Sequence, residues 1–596
     1  MDTEVKIEKL EKGQAKIALK KLIAYTKPYW FWIIFATIVA FFSSMIAIIA
    51  PNFIGNIIDY ITIGMFEGMD TDAIWGVARL LFILYGTGFV LDFVSVFGMT
   101  DVSLNLMRRM RKEMSDKIDR VPLKYFDETS HGDTLSRVTN DVDTLGNTIT
   151  QSYVALVASI FMLVGSLVMM FRLNVLMTLA ALGAAFVGFV MMGVIGSKSQ
   201  KHFMAQQEQL GELTGHIEEV FSGHEVVKIN GAEGLMKKRM KEINDRLYGS
   251  SFKAQFATGV MMPLMMFIGN LSFVAICVVG AVLALNGEIT FGVIVEFMIY
   301  IRLFTQPLGE IASNAMTLQS TVAASHRIFD FLEAQEMENE AGKIAQISDV
   351  KGNVVFEQVQ FSYTADKPVI KNFSAFVKPG KKVAIVGPTG AGKTTIVNLL
   401  MRFYELDGGS IAIDGINLAE MTRETVQSLF CMVLQDTWLF EASIKDNIVY
   451  NKMGVADDAI KQVCKAVGLH HYIKSLPQGY ETILTDKVNL SVGQRQLMTI
   501  ARAMISDAPL LILDEATSSV DTRTELLIQK AMDQLMVGRT SFVIAHRLST
   551  IKHADMILVM NEGDVIESGT HEQLLEKDGF YAELYHSQFD RGEESA

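Results

Sequence analysis

Cysteine is scarce in this 596-residue chain, where only Cys277, Cys431 and Cys464 occur. Their spacings match neither a zinc site nor a disulfide framework, so the three thiols are expected to be packing residues, buried or membrane-facing. Charge is scarce too: 20% of residues are charged against 50% hydrophobic, and the mean hydropathy is +0.28. A soluble chain of this size has little use for so much apolar surface, and much of it is expected to face lipid. Positive charge is the rarer sign, with 53 Lys and Arg against 66 Asp and Glu for a net charge of -13. That balance argues against nucleic acid as a partner, because phosphate binding needs a basic face. No cleavable leader is expected either, since the first apolar run is too long and lacks a small-residue cleavage site. The length exceeds one ordinary domain, so at least two cores are expected.

What is present in the first half is a series of long apolar runs. Residues 29–54 read YWFWIIFATIVAFFSSMIAIIAPNFI, enough at about 1.5 Å per residue to cross a hydrocarbon layer of about 30 Å as a helix. Comparable runs occupy 76–100, 151–171, 174–196, 260–285 and 289–308. Backbone groups in lipid must be satisfied internally, so each run predicts a helix, six spans in all. Lys16, Lys20, Lys21 and Lys27 precede the first span, Arg108, Arg109, Arg111 and Lys112 follow the second, and Lys237, Lys238, Arg239 and Lys241 follow the fourth. Because Lys and Arg near span ends stay on the cytoplasmic side, these regions and both termini are read as cytoplasmic. The connection bearing Asp59, Glu67, Asp70 and Asp72, and the turn Asn286–Glu288, lack basic residues and are read as facing out.

The two cytoplasmic connections, 101–147 and 197–255, carry apolar residues at helical spacing, Leu123, Phe126, Leu135 and Val138 among them, and read as helical extensions. Asp92, Glu296 and Arg302 lie within or near spans, where an ionisable group faces protein or a water-filled cavity. They are candidates for a substrate path or for interhelical pairing. The pairs Met261–Met262 and Met265–Met266 suit either a pliable pocket or ordinary packing.

The second half changes character. The acidic stretch EAQEMENEAGKIAQ at 333–346 reads as a solvated linker, beyond which NVVFEQVQFSY, KVAIVG, SIAIDG and LLILDE are strand-like runs alternating with helical patterns. The expected organisation is an arm at 1–28, a six-helix transmembrane domain at 29–332, a linker at 333–352 and an α/β domain at 353–596. In KVAIVGPTGAGKTTIVNLL an apolar strand runs into Gly387, Pro388, Thr389, Gly390, Ala391, Gly392, Lys393, Thr394 and Thr395 and then into a helix, the pattern of a phosphate-binding loop. The glycines let backbone N–H groups turn to the phosphates, Lys393 supplies a cation, and the Thr394 hydroxyl suits magnesium. Leu510–Glu515 is a buried strand ending in two carboxylates. Asp514 is read as a magnesium residue and Glu515 as the group that orients and polarises the attacking water.

Leu490-Ser491-Val492-Gly493-Gln494 stands just before the Asp514 strand, and with it the chain resembles the ATP-binding cassette superfamily. The resemblance implies that Tyr363 stacks on adenine, that Gln435 in VLQD is a catalytic and magnesium-contacting glutamine, that Ser518–Asp521 is a dimer-contacting loop and that His546 in IAHRLST is the switch histidine. It also implies ATP and Mg2+ as cofactors, with Ser491, Gly493 and Gln494 completing the nucleotide site of a second chain.

Six spans followed by this cassette look like the exporter branch, in which YFDETSHGDTLSRVTNDVD at 125–143 is similar to the first cytoplasmic connection. An exporter implies a bacterial plasma-membrane protein in contact with lipid, a small amphipathic substrate, and a second half-transporter as partner. Val492 stands where the family usually has Gly. A β-branched residue there is expected to hold the backbone away from a phosphate, and a heterodimer with a complementary partner is expected from that departure. A homodimeric lipid or peptide exporter and a regulatory ATPase are the alternatives.

Overall fold

The computed structural model describes residues 12–588 except 345, 365–366, 435–436, 486–489, 515–520 and 546–547. Chain contacts divide it into two compact units, 1–120 with 130–334, and 121–129 with 335–596.

The first unit is helical. A basic arm helix, α1 (Lys12–Tyr25), precedes α2 (Trp30–Glu67) and α3 (Thr71–Ile118). Gly68, with φ of 102°, ends α2, and the Asp70 carboxylate accepts the Ala73 N–H to start α3. After a short helix α4 (Leu123–Glu128) comes α5 (His131–Leu173), which contains π-helical turns at Arg137–Asp141 and Thr148–Tyr153. Then follow α6 (Val175–Ser222), α7 (Glu233–Leu285) and α8 (Phe291–Leu332). Each expected run lies in one of these helices. Among the described residues, five stretches are long and apolar enough to cross a membrane, and the fourth expected span falls in α6, whose apolar portion Val175–Val187 is shorter.

Lipid offers no hydrophobic drive for helices to associate, so polar atoms and close packing bind them. Ser95 Oγ donates to the Ala36 carbonyl at 3.1 Å and Ser43 Oγ to that of Gly88 at 3.3 Å, joining α2 to α3. Tyr300 Oη donates to the Ile48 carbonyl at 2.7 Å, joining α8 to α2. Along α5 and α8, Ser159 donates to Glu310 at 2.7 Å, the Thr148 and Thr321 hydroxyls meet at 2.6 Å, and Arg327 pairs with the buried Asp141. Glu296 is buried and accepts from Asn52 Nδ2 at 3.2 Å, a contact between α8 and α2. Asp92 and Arg302 are exposed on this chain. Cys277 is exposed within α7, while Cys431 and Cys464 are buried. The side chains of Met261, Met262 and Met265 lie outside the described residues.

The second unit is α/β. β1 (Val354–Thr364), β2 (Lys367–Val377), β4 (Gly408–Ile413) and β5 (Ile416–Asn417) form an antiparallel sheet in the order β2-β1-β4-β5. A second sheet runs β10-β9-β3-β8-β7-β6, from β3 (Lys382–Val386), β6 (Phe430–Val433), β7 (Leu510–Asp514), β8 (Thr540–Ile544), β9 (Met556–Asn561) and β10 (Asp564–Gly569). β6, β7, β8, β3 and β9 are parallel, and the central ones read as unbroken apolar runs because both faces are covered. Phe356, Phe373 and Phe542 pack edge-on between the two sheets.

The acidic stretch after α8 is less solvated than its composition suggests. Glu340 pairs with Arg402 at 3.1 Å and Arg423 at 2.9 Å, and Ile344 exchanges backbone hydrogen bonds with Glu420 and Thr422. Arg402 is buried, and a buried guanidinium requires carboxylate partners.

Candidate nucleotide site

In the large sheet β8 lies between β3 and β7, all parallel, so the loops leaving the carboxyl ends of β3 and β7 open at one sheet edge, where such folds bind ligands. The first loop runs from Gly387 to Gly392 and ends at α9 (Lys393–Leu400). A Cβ on Gly387 would stand 2.2 Å from the Met560 carbonyl oxygen of β9, so nothing larger fits there. Gly392, with φ of 96°, is the N-cap of α9 and supplies no side-chain acceptor to the first helical N–H groups. Those donors, with the positive end of the helix, make a cradle for phosphate.

Lys393 curls over this loop, its Nζ donating to the carbonyls of Gly387 at 2.8 Å and Pro388 at 3.0 Å. An ammonium has three donors, which leaves one for a ligand. Burial pushes the Lys393 ammonium below the usual lysine range, while the Asp514 charge opposes that shift. Asp514 therefore acts electrostatically on Lys393 from the end of β7. Thr389, Gly390 and Thr394 are exposed and Ala391 and Thr395 buried, so the loop presents one polar rim and anchors the other. The exposed Thr394 hydroxyl and the Asp514 carboxylate are hard oxygen donors of the kind Mg2+ takes together with substrate phosphates. No cluster of three acidic, His or Cys side chains suited to a resident metal occurs among the described residues.

Tyr363, near the end of β1, brings its hydroxyl to 3.3 Å from Thr395 Oγ1 and accepts from Asn398 Nδ2 at 3.4 Å. Its ring is thereby set against the first turns of α9. Ser491 is the N-cap of α10 (Val492–Ser506): its hydroxyl accepts the Gln494 N–H at 3.2 Å and its own N–H donates to Gln494 Oε1 at 3.0 Å. That reciprocal capping box explains the Ser-x-x-Gln spacing. Gly493 is buried, whereas Ser491 and Val492 are exposed, Val492 at 45%.

The expectation that Val492 holds the backbone away from a phosphate meets a specific finding. Val492 is the first helical residue of α10 and is not among the residues with positive φ. Its backbone conformation is open to any L-residue, so the β-carbon adds bulk outside the helix without straining the chain. Asp521 caps α11 (Thr522–Met536) through the Thr524 N–H at 3.0 Å, and hydrogen bonds from Thr524 hold its carboxyl below the usual range. Gln435, Glu515, Ser518 and His546 lie outside the described residues.

Sequence reading missed Tyr404 and the role of Asp127. Tyr404 follows α9, packs its ring 5.1 Å from that of Tyr363 and donates a hydrogen bond to Asp127 on α4. The signal was an aromatic one turn past the phosphate-loop helix, which alone resembles core packing.

Residues 33–308 match the family model described as ABC transporter transmembrane region, and 370–518 the one described as ABC transporter. A fatty acid ABC transporter ATP-binding/permease protein of Mycobacterium tuberculosis is 42% identical over 519 residues, 87% of this chain and 82% of that protein. An uncharacterized ABC transporter ATP-binding protein of Bacillus subtilis, YfiC, is 37% identical over 97% of this chain and 95% of its own length. An ATP-dependent lipid A-core flippase of Chromohalobacter salexigens is 32% identical over 96% and 98%.

Proposed function

Because the chain belongs to the ABC transporter family, with its membrane and ATP-binding regions fused in one polypeptide, we propose that it exports lipid-like amphiphiles as one half of a two-chain transporter. ATP hydrolysis coupled to transport is the family activity. The lipid-like substrate is favoured by relatives named for fatty acid and for lipid A-core.

One observation carries the two-chain reading. Among the described residues of the first half, two short helices lie between long ones, α4 and His224–Ile229. The first is packed into the ATP-binding unit, with Val121 buried beside it and Asp127 bound by Tyr404. The second is uncovered: Phe221 and Ile229 are each 83% exposed, and Val226 and Leu235 are exposed beside them. An apolar cluster at the end of long charged helices marks an interface, and the ATP-binding unit of a second chain is the surface of the right kind.

In the working site the α9 amino terminus and Lys393 bind the ATP phosphates, and Tyr363 stacks on adenine. Thr394, Asp514 and Gln435 would hold Mg2+, which would offset the charge that develops in phosphoryl transfer. Glu515 orients the attacking water and receives its proton, and His546 contacts the transferred group. Ser491, Gly493 and Gln494 meet the γ-phosphate held by the other chain, with Ser518–Asp521 at the same junction. The chain resides in a bacterial plasma membrane with both termini cytoplasmic. A heterodimer is the second reading; it requires the exposed isopropyl group of Val492 to crowd the surface that Ser491 would offer to a phosphate, the steric point that Val492→Gly tests.

The test is mass, ATPase rate and fluorescent-lipid translocation of the purified chain in nanodiscs and vesicles, beside Glu515→Gln. A dimer that hydrolyses ATP and moves lipid supports the homodimer, and an inactive monomer sends the search to a different partner chain. Hydrolysis at the wild-type rate by Glu515→Gln removes the catalytic assignment, and hydrolysis with no lipid movement removes export of lipids.

A further inference from the structure

Where the arm helix α1 turns into α2, an open cleft of about 670 Å³ is lined by Lys21, Ala24, Tyr25, Lys27, Pro28, Arg109, Phe329 and Glu333. We propose that this cleft binds the phosphodiester of an anionic phospholipid.

Charge balance points to a ligand with one negative charge. Lys21 Nζ pairs with Glu333 at 2.5 Å, and Arg109 Nε pairs with Glu113 at 2.8 Å while its guanidinium lies 4.7 Å over the Tyr25 ring. The Tyr25 hydroxyl donates to the same Glu113 at 2.9 Å, so two of the three cations are already matched. Lys27 makes no ion pair or hydrogen bond with its ammonium among the described residues, and the cleft keeps one net positive charge. A phosphodiester carries one negative charge at neutral pH. It would neutralise Lys27 and accept from the donors of Lys21 and Arg109 that their carboxylates leave unused.

The surroundings select a lipid over a soluble phosphate. Immediately after Lys27 comes Tyr29-Trp30-Phe31-Trp32, with Trp30, Phe31 and Trp32 exposed. Such an aromatic belt marks headgroup depth at the start of a span. Ile17, Leu19 and Ile23 are exposed beside the lysines of α1, the composition of a helix lying in the interface. A phosphate held at Lys27 therefore has apolar rings next to it where acyl chains begin. The test of this site does not depend on export.

The experiment is native mass spectrometry of the full chain released from detergent, titrated with phosphatidylglycerol or phosphatidylcholine. One tightly retained phosphatidylglycerol per chain is expected, favoured over phosphatidylcholine by about fivefold or more, the scale of one basic residue acting on an anionic headgroup. Lys27→Gln, at an exposed position that costs the fold little, is expected to abolish the preference, and Lys21→Gln/Lys27→Gln to abolish retention. Lys16→Gln/Lys20→Gln removes two charges from the same helix outside the cleft and should leave the preference unchanged. If Lys27→Gln keeps it, or if Lys16→Gln/Lys20→Gln loses it equally, the cleft is not a site and the arm acts only as diffuse charge. Glycerol phosphate should fail to displace the lipid at equal concentration, and displacement would overturn the lipid assignment in favour of a soluble phosphate.

Discussion

Tyr404 donates a hydrogen bond to the Asp127 carboxylate, joining the segment just past the phosphate-loop helix to the short helix between α3 and α5. The same tyrosine packs edge-on against Tyr363, which sits on the first turns of α9. A movement of the phosphate loop therefore has a side-chain route to α4, and α4 is covalently continuous with two helices of the membrane unit.

Tyr404→Phe keeps the ring contact and removes the hydrogen bond. Such a bond to a charged acceptor is worth about 1.5–3 kcal/mol when buried, less where water competes. We expect substrate moved per ATP to fall by about threefold or more while the ATPase rate stays within about twofold, and an unchanged ratio in reconstituted vesicles would sink the coupling role. Burial and Asp127 both push the Tyr404 hydroxyl above its ordinary value. A raised pKa gives a contribution that is complete below the ordinary tyrosine value of about 10 and is lost as pH rises beyond it. The transport-to-ATPase ratio should therefore be flat from about pH 7 to about pH 9 as far as this bond is concerned.

Lys393→Met tests the phosphate cradle by ligand-dependent melting. Burial depresses the Lys393 ammonium, so the charged form costs stability at neutral pH, and the neutral methionine should melt no lower than wild type without nucleotide. Saturating MgATP at about 100 times its Kd stabilises the wild type by about 2.7 kcal/mol through binding. The variant should show almost none of that shift. A full shift in the variant would show that ATP binds without Lys393.

For Val492→Gly the helical backbone at this position predicts a small effect. Glycine relieves no strain there, and in a helix it costs up to about 1 kcal/mol relative to a good helix former. The ATPase rate of the assembled transporter should change by less than about threefold. A rise of tenfold or more would mean that the exposed side chain itself obstructs the phosphate, and the heterodimer reading would stand on sterics.

Glu340→Gln removes the carboxylate shared by Arg402 and Arg423. Arg402 and Arg423 both retain Glu405, so the loss of the two pairs should be partial, about 1–2 kcal/mol at a half-buried site. The melting temperature of the ATP-binding unit should drop by several degrees, whereas Glu333→Gln, at an exposed pair, should leave it nearly unchanged. Equal melting of the two variants would return the stretch to a plain linker.

The parts legible in the sequence are those that arise within one segment. A long apolar run must become a helix in lipid whatever its neighbours do, so all six expected runs lie in helices. The phosphate loop was readable because strand, glycines, Lys393 and helix are contiguous. The shorter apolar portion of α6 is harder to read, since α6 combines its apolar start with a long polar extension.

Local periodicity and a contiguous motif, which depend on the order of neighbouring residues alone, determined that this is a two-part membrane protein with a phosphate-binding α/β unit. Tertiary structure decided the rest. It took Val121–Thr129 from the first half of the chain into the second unit, matched Glu340 to a buried Arg402 and gave Val492 an unstrained helical backbone. It also left Phe221 and Ile229 uncovered. Each of these depends on which distant side chain arrives beside a given residue, and a desolvated charge or an uncovered apolar face acquires its energy only once that neighbour is known.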